Sequence, residues 1–229
     1  MSGIDDPAGR LKAAADRLGL QLDAGQYENL LAYLQLIAKW NKVYNLTAVR
    51  DPEEMLVSHL FDSLAVIAPL RAQTGGRALR LLDVGSGAGL PGVVVAICCP
   101  EIQVDCVDTV GKKAAFIQQA AAQLHLANLR GVHDRVEKLT GPYDVITSRA
   151  FASLHDFVVW SEGALAEQGI WMAMKGKHPE AEIAALPPQA TVFHVEQLHV
   201  PDLDAERCIV WLRRCTHAES SAGPAAGQR

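Results

Sequence analysis

Residues 81–92 read Leu81-Leu82-Asp83-Val84-Gly85-Ser86-Gly87-Ala88-Gly89-Leu90-Pro91-Gly92, and this stretch decides the fold. An apolar run ends in a carboxylate and enters a turn with glycine at every second position, after which proline opens an apolar helical run. Such a pattern predicts a buried strand whose tip feeds a helix through a tight loop. Glycine is needed there because the backbone turns sharply and a ligand must approach it with no Cβ between. The helix N-terminus adds partial positive charge to the same crevice.

A second acid, Asp108, stands at the tip of the next strand, 19 residues after Gly89. A carboxylate there can accept both hydroxyls of a ribose, although Asp108-Thr109 before Gly111-Lys112-Lys113 would also cap a helix. Strand, glycine loop and acid together point to a nucleoside cofactor. With Gly85, Gly87 and Gly89 as the loop, Asp83 is left to hold an ammonium, as the methionine moiety of S-adenosylmethionine would require. The alternative register, Gly87-x-Gly89-x-x-Gly92, satisfies the dinucleotide fingerprint of nicotinamide enzymes. Its first glycine lies three residues beyond Val84, and Pro91 interrupts its last turn, so it ranks second.

Working outward, short branched-apolar runs alternate with helical segments from about residue 78. Strands are predicted at Leu79–Val84, Gln103–Val107, Leu129–His133, Tyr143–Thr147 and Ile170–Met174. Helices are predicted at Pro91–Cys98, Lys112–Leu126, Leu154–Ala166 and Pro179–Leu186. That rhythm makes βαβ units and a parallel sheet covered on both faces. Thr191–Val200 and Arg207–Arg213 then follow without a helix between them and must pair antiparallel. An α/β sheet closed by a hairpin is the plan of class I methyltransferases: Rossmann-like, seven-stranded and mostly parallel.

Upstream, the sequence reads as helices. Leu11, Ala14, Ala15 and Leu18 form an amphipathic stripe ending at Gly19. Asp23 and Gln26 stand in capping-box positions before a stripe of Leu30, Leu31, Leu34, Ile37 and Ala38. Asp51-Pro52-Glu53-Glu54 is a helix start followed by Met55, Leu56, Leu60, Leu64 and Ile67. The division expected is a helical extension over 1–75, a class I methyltransferase domain over 76–215, and a disordered Ala/Ser/Gly-rich tail over 216–229.

With 229 residues, 49% hydrophobic and 21% charged, the chain suits one ordinary domain, or one domain with a helical annex. A net charge of −5 and a pI near 5.9 argue against a protein that grips nucleic acid over its whole surface. A local basic face remains compatible: residues 108–140 carry five basic side chains against three acidic. Cys98, Cys99, Cys106, Cys208 and Cys215 show no metal spacing. Their odd number, the absence of a signal peptide and the lack of any 18-residue apolar stretch predict a cytoplasmic protein without membrane segment or metal, taken as a monomer.

The tip of the fourth strand, Ile146-Thr147-Ser148-Arg149-Ala150, should meet the substrate. It lacks the Asp/Asn-Pro-Pro-aromatic run of amine-directed enzymes and the cysteine of carbon-directed ones. A target that is already nucleophilic remains, and N7 of guanine fits, with catalysis by in-line positioning and charge neutralisation. Arg149 either supplies that charge, holds a carboxylate or phosphate, or pairs with a neighbour. A small-molecule methyltransferase and a non-catalytic cofactor-binding protein stay open on these residues.

Six motifs extend the reading: Trp40-Asn41-Lys42 with Asn45-Leu46-Thr47; His59-Leu60-Phe61-Asp62-Ser63-Leu64; Asp83–Gly92; Arg135-Val136-Glu137; Ser148-Arg149-Ala150-Phe151-Ala152-Ser153-Leu154; and Lys175-Gly176-Lys177. Together, from Tyr27 to Arg214, the chain resembles the RsmG (GidB) family of bacterial 16S ribosomal RNA guanine-N7 methyltransferases. The resemblance implies S-adenosylmethionine as methyl donor and a guanine of small-subunit rRNA as substrate. It places cofactor positions on Gly85, Leu90, Val136, Glu137 and Arg149, with Val136 and Glu137 beside the adenine. Lys112, Lys113, Arg135, Lys175 and Lys177 are the candidates for meeting RNA phosphates. His59 reads as a hydrogen-bonded core histidine.

Overall fold

The structure is a computed structural model that describes residues 6–151 and 153–215. The expected disordered tail, 216–229, lies outside the described residues, as does Ala152.

The N-terminal part forms α1 (Pro7–Arg17), α2 (Ala24–Tyr44), α3 (Pro52–Met55), a π-helical turn (Leu56–Phe61), α4 (Asp62–Leu64) and α5 (Ile67–Thr74). The start signals act as read. Asp23 and Gln26 exchange both bonds of the capping box, and Asp51 accepts from the Glu54 amide. The buried face of α2 differs from its expected stripe. Leu30, Tyr33, Ile37 and Asn41 are buried, whereas Leu31 and Leu34 are half-covered. The helix is rotated so that Tyr33 reaches the glycine loop.

The remainder runs β1 (Leu79–Val84), α6 (Gly92–Cys98), β2 (Ile102–Asp108), α7 (Gly111–Gln123), β3 (Leu129–His133), β4 (Tyr143–Arg149), α8 (Leu154–Ser161), β5 (Leu165–Lys175), α9 (Glu180–Ala184), β6 (Ala190–Leu198) and β7 (Arg207–Arg214). The seven strands stand in the order β3-β2-β1-β4-β5-β7-β6. β1 to β5 pair in parallel, and β7 enters antiparallel between β5 and β6. One expectation is corrected. The helix predicted over Leu154–Ala166 ends at Ser161 in a short 3-10 turn, and Leu165 already pairs with Tyr143. Apolar periodicity alone does not separate the end of a buried helix from the start of a buried strand.

Alternate residues of β1 serve opposite faces, as the two-residue period of a strand requires. Leu79 and Leu81 join a core shared with α1, α2, α5, α6 and α7, while Leu82 and Val84 join one under α8. The segment Pro52–Thr74 is long and apolar enough to cross a membrane, with mean hydropathy 1.3, but 67% of its apolar window is buried inside the molecule. It is the central helical layer of the first core. A continuous hydrophobic cluster therefore crosses residue 75.

Candidate functional site

Strand order reverses between β1 and β4, and the crevice beyond their C-terminal ends is where open α/β sheets bind ligands. Two cavities lie there, of about 450 Å³ and about 350 Å³, and Gly85 lines both. Each is within the size of small-molecule sites, ~300–1,000 Å³. Gly85, Gly87 and Gly89 all have positive φ, at 65°, 60° and 91°. A Cβ on Gly85 would come within 2.7 Å of Phe151. Gly85 thus packs under the Phe151 ring where the two cavities meet, and a Cβ on Gly87 would meet nothing within 4 Å. Gly92 belongs to α6, so the loop follows the register that leaves the strand directly.

Three side chains hold the loop. The Tyr33 hydroxyl donates to Ala88 O at 2.6 Å, and the Gly87 amide donates to Asp108 Oδ2 at 3.0 Å. Asp83 Oδ2 accepts from the Gly92 amide at 2.8 Å. Asp83, expected beside a ligand ammonium, is completely buried and lines neither cavity. It faces α6 rather than the crevice because it shares the strand face of Leu81. Burial pushes its carboxyl up to about 7, against the opposing pull of the Gly92 bond and Arg149. Its Oδ1 has no partner among the described residues. Gly89 also lines neither cavity; a Cβ there would strike Val93, so this glycine permits packing.

The smaller cavity gathers Asp108, Lys113, Arg135, Val136, Glu137, Phe151 and Trp160. Asp108 makes a turn bond and borders the cavity: Oδ1 accepts from the Val110 amide at 2.8 Å. The helix that follows has Val110 at its N-cap and no side-chain cap bond. Two residues expected to meet RNA are engaged here: Lys113 lies 3.5 Å from Asp108, and Arg135 lies 3.0 Å from Glu137. Lys112 is exposed on α7. Phe151 and Trp160 meet edge to face at 5.7 Å and supply an aromatic wall. Trp160, spaced nine residues beyond Phe151 and on a helix, gave no sign of this in the sequence.

The larger cavity contains the glycine loop, Leu90, Arg149, Asp62, Ser58, Lys175 and Arg207. Arg149 Nη1 donates to Asp62 Oδ2 at 2.9 Å and to Ser58 O at 2.7 Å. The π-helical turn makes the second bond available. The Asp62 amide reaches back to His59 O and Val57 O rather than to Ser58 O, which accepts from the arginine. Arg207 Nε donates to Asp62 Oδ1 at 2.9 Å. Lys175 is paired with Glu182 at 2.8 Å, and Lys177 is exposed beside it. Buried His59 contacts Thr47 Oγ1 at 3.1 Å, and burial together with Arg149 lowers its pKa to about 4. It is therefore the neutral core histidine expected. Asp62 and Arg207 are the polar site members that sequence reasoning missed.

The family profile described as rRNA small subunit methyltransferase G matches residues 26–210. The chain belongs to that family. A ribosomal RNA small subunit methyltransferase G of Paracidovorax citrulli (strain AAC00-1) is 60% identical over 228 residues, covering 95% of this chain and 94% of the relative. That of Polaromonas sp. (strain JS666 / ATCC BAA-500) is 64% identical over 207 residues, covering 89% and 92%. Among solved structures, TrmN from Thermus thermophilus superposes with a TM-score of 0.55 at 19% identity, over 70% of this chain and 53% of that one. Magnesium protoporphyrin IX methyltransferase from Synechocystis PCC 6803, solved with bound SAH, gives 0.57 at 14% identity, over 80% and 98%. The fold is that of the class I methyltransferases.

Each of the six motifs quoted from the sequence places at least one residue on the two cavities. Asn41 donates to Val49 O and accepts from the Thr47 amide, each at 3.0 Å, which shapes the loop carrying Leu46 and Thr47 into the larger cavity. Among the described residues no group of three His, Cys, Asp or Glu side chains is placed to hold a metal ion.

Proposed function

We propose that this chain transfers the methyl group of S-adenosylmethionine to N7 of a guanine in 16S small-subunit rRNA. The donor fits the residues present. The glycine loop joins two cavities of small-molecule size, and an acid, Asp108, borders the smaller one, proposed to take the nucleoside. Gly85, Gly87 and Leu90 would line the donor's amino-acid half, Asp108 would take the ribose, and Val136 with Glu137 would flank the adenine. When bound, S-adenosylmethionine supplies an electrophilic methyl carbon on a sulfonium.

One observation carries the choice of acceptor. The single carboxylate lining the larger cavity, Asp62, is taken up by two guanidiniums, and no histidine or cysteine joins it among the described lining residues. A site without an available base suits a lone pair that needs no deprotonation, which guanine N7 has. The protein's part is then alignment behind the methyl carbon and a cationic wall, with Arg149 holding an anionic group of the reactants. Lys112, Lys175 and Lys177 are proposed to reach the RNA backbone, with Lys113 and Arg135 nearer the cofactor. Residues 1–75 are proposed as an annex that completes the 76–215 domain, and the shared core supports this. A reducing cytosol is the compartment proposed, in keeping with five free cysteines.

Calorimetry of S-adenosylmethionine and of NAD, each with wild type and Gly85→Val, tests the cofactor. A Cβ at Gly85 meets Phe151 and a positive φ. Micromolar S-adenosylmethionine binding, lost in the variant and without an NAD signal, is expected. NAD binding, or neither, overturns the proposal.

A further inference from the structure

Asp62 is buried and its two oxygens are shared between Arg149 and Arg207, each bonded at 2.9 Å. Both arginines line the larger cavity, and their side chains are about a quarter exposed, 22% and 26%. The pair plus one carboxylate leaves a net positive charge on the cavity wall. The remaining bonds are few. Arg149 Nη1 also reaches Ser58 O, and Arg207 Nη1 reaches Glu206 O at 2.8 Å. Nη2 of each arginine makes no hydrogen bond among the described residues.

A salt bridge serving stability alone would need one arginine. Desolvating a second cation beside the same carboxylate costs free energy that the shared anion offsets only in part. Planar forks with free N–H edges, fixed in orientation by a buried anchor, are the arrangement that recognises carboxylate or phosphate.

We propose that Arg207 is a ligand-binding residue: with Arg149, and oriented by Asp62, it forms a guanidinium pair that takes an oxyanion of the reactants in the larger cavity. The oxyanion is either the α-carboxylate of the methyl donor or the phosphodiester beside the target nucleotide. This rests on the function proposed above. Asp62 is a positioning residue in it.

The test uses the full chain as wild type, Arg207→Met and Arg207→Lys. S-adenosylhomocysteine and 5′-methylthioadenosine, which lacks the amino-acid carboxylate, are titrated calorimetrically, and methylation of small-subunit rRNA is followed across salt. If the donor's carboxylate is bound, Arg207→Met weakens S-adenosylhomocysteine about ten- to a hundredfold and leaves methylthioadenosine unchanged. If a phosphate is bound, both nucleosides bind as in wild type. The rRNA KM then rises about tenfold or more, and its logarithmic salt slope falls by roughly 0.7. Arg207→Lys, which keeps the charge but not the fork, should fall between. Equal weakening of both nucleosides marks a structural role and overturns the proposal, as does an Arg207→Met protein unchanged in every readout. A wild type that binds neither nucleoside overturns the methyltransferase reading and this inference with it.

Discussion

His59 makes a quantitative pH prediction. Burial, reinforced by Arg149, holds its pKa at about 4 against an ordinary 6.5. The native ring is thus neutral where the unfolded chain's histidine is charged. The unfolded state binds the extra proton, so stability is lost as pH falls from 6.5 toward 4. Over the roughly 2.5 pH units between those values, at about 1.4 kcal/mol per unit, the loss is about 3 kcal/mol. His59→Gln offers an amide to Thr47 Oγ1 in place of the ring nitrogen and removes the titration. Urea unfolding of both proteins at pH 4.5, 5.5, 6.5 and 7.5 gives their stability difference, in which every other group subtracts. Relative to wild type, the variant should gain about 2–3 kcal/mol on going from pH 7.5 to 4.5. A difference that stays constant with pH would refute the assignment of a buried neutral histidine.

Asp83 acts with the opposite sign. Its native pKa of about 7 lies above the ordinary 3.8, so the folded chain keeps a proton that the unfolded chain releases, and stability falls as pH rises through that interval. Asp83→Asn should therefore gain on wild type by on the order of 4 kcal/mol between pH 4 and 7.5, measured by the same unfolding series; parallel curves would exclude a protonated carboxyl. In wild type the two groups nearly cancel between pH 4 and 6.5, so each variant exposes the other's slope. Lys177→Gln should raise the rRNA KM and lower its logarithmic salt slope by roughly 0.7, with donor affinity unchanged. An unchanged slope would remove Lys177 from the RNA contacts.

The parts of this site that were legible in the sequence are those written locally. Val84–Gly92 carries its own strand end, turn and helix start, and a backbone that needs positive φ at three alternate positions leaves little choice of residue. Asp51-Pro52 and Asp23 with Gln26 are equally local, and both act as helix starts. Asp62 is different. It stands in one of the quoted motifs, but nothing beside it names its partners, because Arg149 and Arg207 arrive from 87 and 145 residues away. The π-helical turn that frees Ser58 O leaves no compositional mark either. Tyr33 was hidden by a leucine-rich stripe that suggested a slightly different buried face, and its partner, Ala88 O, is 55 residues distant. Asp83 was correctly placed at the strand tip, but which way its carboxyl points depends on strand parity and on α6 closing over it. The early start of β5 depends on pairing between Leu165 and Tyr143, a tertiary fact.

The central claim is methyl transfer to guanine N7, and chemical mapping of the product tests it most directly. Purified protein is incubated with isotopically labelled S-adenosylmethionine and with small-subunit RNA that lacks 7-methylguanosine, and the RNA is treated with borohydride and aniline, which cleave the strand at that base. The account predicts label in the RNA and a single new break at one guanine, both absent with Gly85→Val. Label without an aniline-sensitive break would place the methyl on another atom, and RNA that stays unlabelled beside active donor binding would contradict the substrate itself.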